Sequence, residues 1–122
     1  MYMVKVPSFL LKKLYVKGSL KNTEDGFSFQ IKNVLADATV NEPMKVFVDG
    51  KEIDPANITL TVDSETIAVA DVSSAKPFPF KVKMQITISV KGEPLSPGPH
   101  KIKIITSTKE YGAVTFEVSD KI

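Results

Sequence analysis

Cysteine, arginine and tryptophan are absent from this 122-residue chain, and histidine occurs once. Without cysteine there are no disulfides, no thiolate nucleophiles and no thiolate metal sites, so stability rests on hydrophobic burial. All 16 basic residues are lysine, and no side chain offers the planar fork that grips a carboxylate or phosphate bidentately. The missing tryptophan leaves only tyrosine and phenylalanine as aromatic platforms for a sugar. Long apolar runs are missing too. Lys5, Pro7, Lys12 and Lys13 interrupt Met1–Leu14, which excludes a signal-peptide core and a membrane span of about 20 apolar residues there and makes cytoplasmic residence the expectation. A net charge of +2 is too small for a nucleic-acid-binding stripe, so neither nucleic acid nor membrane is expected as a partner.

Helical periodicity is also scarce. No stretch places apolar residues at i, i+3, i+4 and i+7 over the length of a typical helix, and at most one helical turn fits, near Leu35 to Ala38.

Alternation with a period of two fills the chain instead. Phe80, Val82, Met84, Ile86, Ile88 and Val90 alternate with Lys81, Lys83, Gln85, Thr87 and Ser89, which predicts one long half-buried strand. Shorter alternations begin at Leu14 and Val16 and continue at Phe27 to Ile31, Met44 to Val48, Ile58 to Val62, Ile67 to Val69, Ile102 to Ile104 and Val114 to Val118. Asp49-Gly50 supplies the positive φ angles of a two-residue type I′ turn, predicting a hairpin between Val46–Val48 and Lys51–Ile53. Asp63-Ser64-Glu65 and Tyr111-Gly112 mark further turns. The prolines and glycines from Gly92 to Pro99 require a loop. These signals predict one all-β domain over residues 1–122, an antiparallel β-sandwich of about eight strands, immunoglobulin-like or jelly-roll-like.

Chemistry-bearing residues are sparse. His100 follows Pro99 with no second histidine and no acidic cluster near it in sequence, and reads as a residue capping a loop at the start of a strand; general base or lone ligand is the competing reading. Ser73 and Lys76 have the Ser-x-x-Lys spacing of some acyl-transfer enzymes, but Pro77 and a following strand deny them a shared helical face. Asn57-Ile58-Thr59 matches a glycosylation acceptor and also reads as the start of a strand. Asp49, Asp54, Asp63, Glu65 and Asp71 fall at turns, where turn chemistry explains them as well as calcium ligation does. No catalytic residue, metal site or cofactor is assigned. Lys81, Lys83, Lys101 and Lys103 would share an outward basic face if their strands were neighbours; a solvated, edge-protecting face is the alternative.

Two aromatics have the wrong parity for a core. If Val46 and Val48 face inward, Phe47 faces out; if Leu14 and Val16 do, Tyr15 faces out. With Phe78, in the Pro77-Phe78-Pro79-Phe80 segment, they form a candidate docking patch for a protein partner or for a second copy of the chain.

Three segments, Gly26-Phe27-Ser28-Phe29-Gln30-Ile31-Lys32, Val46-Phe47-Val48-Asp49-Gly50-Lys51-Glu52-Ile53 and Leu95-Ser96-Pro97-Gly98-Pro99-His100-Lys101-Ile102, make the chain resemble the β subunit of C-glycoside deglycosidases. The resemblance spans about Gly26 to Ile104. It implies a β-sandwich subunit bound to a larger, metal-dependent barrel subunit that cleaves the carbon-linked sugar. Leu35-Ala36-Asp37-Ala38-Thr39-Val40 departs from the family pattern, and no catalytic residue carries over. The expected role is thus a non-catalytic accessory or interaction subunit of a sugar-processing complex, with a carbohydrate-binding or other small-ligand module as the alternative and an independent hydrolase using His100 as a third.

Overall fold

The structure, a computed structural model, describes residues 6–122. The Met1–Lys5 part of the leader and membrane reading lies outside the described residues. A one-turn helix, α1 (Ser8–Leu11), and a 3-10 turn (Lys12–Leu14) precede eleven strands among the described residues. In chain order these are β1 (Lys21–Thr23), β2 (Gly26–Lys32), β3 (Ala38–Val40), β4 (Lys45–Val48), β5 (Lys51–Ile53), β6 (Ile58–Val62), β7 (Glu65–Ala68), β8 (Phe78–Phe80), β9 (Gln85–Lys91), β10 (Pro99–Thr108) and β11 (Gly112–Lys121).

The strands build two antiparallel sheets. One runs β1-β2-β9-β6-β7; the other runs β5-β4-β10-β3-β8, with β11 along the free side of β10. The ten-residue β10 is the spine of the second sheet. It pairs with β11 over its whole length, with β4 through Ile102–Ile105, and with β3 at Thr108. The all-β expectation therefore holds, with more strands than the eight expected. The additional pieces β1, β3 and β8 have three residues each, too few for alternation to register.

Inward residues of both sheets meet in one core. Phe29, Ile86 and Ile88 of the first sheet and Val46, Ile102 and Ile104 of the second are among its most buried members. The expected hairpin is present: Asp49 and Gly50 have φ of 52° and 85°, and Val48 pairs with Lys51. Asp63, at φ 54°, turns β6 into β7, and Gly112, at φ 69°, opens β11. Gly26 is required for a different reason. A Cβ there would lie 2.1 Å from the Val90 carbonyl oxygen, so β2 and β9 close together only over a glycine.

The long strand predicted from Phe80 to Val90 is two strands in different sheets. Phe80 ends β8 in the six-stranded sheet, and Gln85 opens β9 in the other. Between them Lys83 adopts φ 76°, its N–H donates to the Asn33 carbonyl at 2.7 Å, and the Val82 N–H donates to Asp37 Oδ1 at 2.8 Å. Val82 is consequently 40% exposed while Ile86 and Ile88 are buried. Alternation continues across the break because each half is half-buried by itself.

The helical turn expected at Leu35–Ala38 is absent. Buried Asn33 organises that loop instead: its Nδ2 donates to the carbonyls of Ala36 (2.7 Å) and Phe80 (2.8 Å), and its Oδ1 accepts the Leu35 N–H (3.1 Å). The helical turn is at Ser8–Leu11, where the Pro7 carbonyl accepts the N–H groups of Leu10 and Leu11. No described helix is long and apolar enough to cross a membrane.

Candidate functional site

The six-stranded sheet carries on its outer face the one wrong-parity aromatic that remains partly open to solvent. Register places Glu52 of β5, Phe47 of β4, Lys103 of β10 and Glu117 of β11 in one row across four strands. The Lys103 ammonium is 5.4 Å from the centroid of the half-buried Phe47 ring, within reach of its electron-rich face. Ile105, two residues along β10 on the same face and also half-buried, is the diagonal neighbour of Phe47. The result is a small apolar centre flanked by charges of both signs.

The hairpin that presents Phe47 is pinned to β10 by His100. Its Nδ1 is 2.6 Å from Asp49 Oδ2 and its Nε2 is 2.7 Å from the Ser96 carbonyl oxygen. Both partners are acceptors, so this geometry favours the protonated ring, in which both nitrogens donate. The Ser96 carbonyl and the Asp49 carboxylate both push the His100 pKa above its ordinary value, against the opposing effect of burial. The His100 hydrogen bond and the Lys101 N–H, at 2.9 Å from Asp49 Oδ1, hold the Asp49 carboxyl below its ordinary range. Both ring nitrogens are engaged in these hydrogen bonds. His100 is buried, with an acidic partner 51 residues away that linear spacing could not reveal.

Tyr15 and Phe78 lie elsewhere. Tyr15 is 8% exposed, packs on Phe29 with ring centroids 6.0 Å apart, and donates through its hydroxyl to Asp120 Oδ2 at 2.6 Å. The outward orientation expected for Tyr15 fails because the 3-10 turn at Lys12–Leu14 removes the strand parity on which it depended. Asp120 Oδ2 also accepts the N–H groups of Gly18 (3.1 Å) and Leu20 (3.2 Å), closing the first segment onto the last strand. Burial raises the pKa of the Asp120 carboxyl, but the hydrogen bonds from Tyr15 and from the backbone outweigh it and hold the group below its ordinary range. Burial and the neighbouring carboxylate push the Tyr15 hydroxyl well up. Phe78 is buried in β8, stacked with Phe80 at 6.4 Å. The three aromatics therefore form no common surface.

The lysines are likewise not gathered. Lys81 and Lys83 lie in the crossing between the sheets, whereas Lys101 and Lys103 belong to β10. Ser73 and Lys76 close a tight turn in which the Lys76 N–H donates to Ser73 Oγ at 3.1 Å. Asp54 caps a 3-10 turn through the Ala56 N–H. Among the described residues no group of three or more histidine or acidic side chains is placed to hold a metal ion.

The family model described as hydroxymethylglutaryl-CoA reductase, N-terminal domain, matches residues 10–122. The chain belongs to that family. No curated protein is similar enough to count as a match. Membership overturns the resemblance to the β subunit of C-glycoside deglycosidases, and with it the role in a sugar-processing complex. The segments that carried that resemblance have local physical reasons: Gly26 permits close strand approach, Asp49-Gly50 makes a two-residue turn, and Pro99-His100 opens β10 beside its loop. Such solutions recur in unrelated β-proteins.

Proposed function

We propose that the chain forms one domain, a β-sandwich, that serves a hydroxymethylglutaryl-CoA reductase by packing against the part of that enzyme that carries the chemistry, with the Phe47 face as the contact. The family match over residues 10–122 carries this reading. The anatomy of the face supports it. Phe47 and Ile105 offer apolar area at the centre of a sheet, and Lys103, Glu52 and Glu117 provide a polar rim of both signs, the arrangement expected of a modest protein interface. The Asp49–His100 pair contributes by fixing the β4–β5 hairpin, so that Phe47 is held in place before contact.

Co-purification with a hydroxymethylglutaryl-CoA reductase from the same organism tests the reading. The native chain is expected to be retained, and Phe47→Glu to weaken retention at least tenfold while leaving the circular dichroism spectrum unchanged. No retention of the native chain, or equal retention of the Phe47→Glu variant, would refute it.

A further inference from the structure

Between the two sheets lies a cavity of about 140 Å³ whose lining is almost wholly hydrocarbon. Ile31 and Ile86 wall it on one sheet and Ile104 and Phe116 on the other, and Leu11 of α1 and Leu35 of the loop after β2 also line it. An unfilled apolar space of this size costs the fold packing energy that a fitting apolar guest recovers. Water is a poor occupant, since an ordered buried water needs two to four polar partners.

Three lining residues carry short polar side chains. Asn33 is spent on the carbonyls of Ala36 and Phe80 and on the Leu35 N–H. The Thr108 hydroxyl donates to the Gly112 carbonyl and accepts the Tyr111 N–H. Thr106, two residues before Thr108 and on the same face of β10, has a buried Oγ1 with no hydrogen-bond partner among the described residues. A buried hydroxyl left unpaired is costly, and a ligand that pairs with it recovers that cost.

We propose that this cavity is a binding site for a small apolar molecule bearing a single hydroxyl, its hydrocarbon body between the sheets and its hydroxyl bonded to Thr106. Apolar cavities of about this volume accept a benzene-sized guest, which sets the size at about six or seven carbon atoms. A charged ligand is excluded because the lining offers nothing to compensate a buried charge.

Phenol and benzene, equal in shape and differing by one hydroxyl, are the probes, and methyl NMR of Ile31, Ile86 and Ile104 on the full chain is the readout. Phenol is expected to shift these methyls in a saturable way and to bind about three- to tenfold more tightly than benzene, the worth of one neutral hydrogen bond. Thr106→Val is expected to lose or reverse the preference, since the phenol hydroxyl would then be buried unpaired, and Thr106→Ser, which keeps the hydroxyl, to retain the preference for phenol. The proposal is overturned if neither probe shifts the methyls, if benzene binds the native chain as well as phenol does, or if Thr106→Val keeps the preference. The comparison on the native chain decides the matter even where a variant fails to fold.

Discussion

The Tyr15 hydroxyl donates to Asp120 Oδ2 at 2.6 Å across 105 residues of sequence, making the segment before β1 a partner of the last strand. Tyr15→Phe keeps the ring against Phe29 and removes only the donor. It is expected to cost about 1–2 kcal/mol in urea unfolding, since Asp120 keeps its backbone donors but loses its shortest bond. An unchanged midpoint would mean that the segment is held by packing alone.

The Asp49–His100 pair should make stability pH-dependent in a defined direction. A histidine whose folded pKa is raised contributes stability that is fully present below its ordinary value of about 6.5 and is lost as pH climbs through the raised value. Asp49, with a depressed pKa, contributes above its ordinary value of about 3.9 and loses that contribution as pH falls through the lowered one. The pair is thus strongest between those limits. Asp49→Asn, which tolerates the same turn, is expected to destabilise by up to about 1 kcal/mol at pH 6, a modest value because the Asp49 side chain is 51% exposed, and by less at pH 9. Urea titrations of both proteins at the two pH values measure this difference.

The crossing between sheets separates two residues that simple alternation would treat alike. Ile88→Ala is expected to cost about 2–5 kcal/mol because Ile88 is fully buried. Val82→Ala is expected to stay within about 0.5 kcal/mol of the native chain because Val82 sits in the exposed crossing. A large loss from Val82→Ala would restore the single long strand.

Gly26→Ala tests the closeness of β2 and β9. The added methyl meets backbone atoms, the Val90 carbonyl oxygen and the Gly92 nitrogen, which have no rotamer to escape into. A loss of about 1–3 kcal/mol is expected in thermal or urea unfolding, the range for overpacking. A neutral effect would show that the two strands sit farther apart.

The class of fold was legible because alternation is a local signal: Phe27, Phe29 and Ile31, or Ile102 and Ile104, announce an inward face without knowledge of any partner strand. Turn chemistry was legible for the same reason at Asp49-Gly50. Three features were not. The break at Lys81–Met84 is set by Asp37 and Asn33, residues about 45 to 50 positions earlier, and leaves the period intact. The parity of Tyr15 assumed a strand where a 3-10 turn and a single bridge to Ile31 occur. The partners of His100 and Tyr15 are carboxylates of loops and strands remote in sequence, as is usual in a fold dominated by non-local pairing. Of the candidate site, Phe47 was found by parity, whereas its row with Glu52, Lys103 and Glu117 depended on the order of strands, which periodicity does not specify.

Amide hydrogen exchange of the chain, alone and mixed with a hydroxymethylglutaryl-CoA reductase from the same organism, tests the central claim most directly. Added protection is expected to be confined to β4, β5 and the facing part of β10 around Phe47 and Lys103, with the β1-β2-β9-β6-β7 sheet unchanged. Protection of that other sheet instead, or none anywhere, would contradict it.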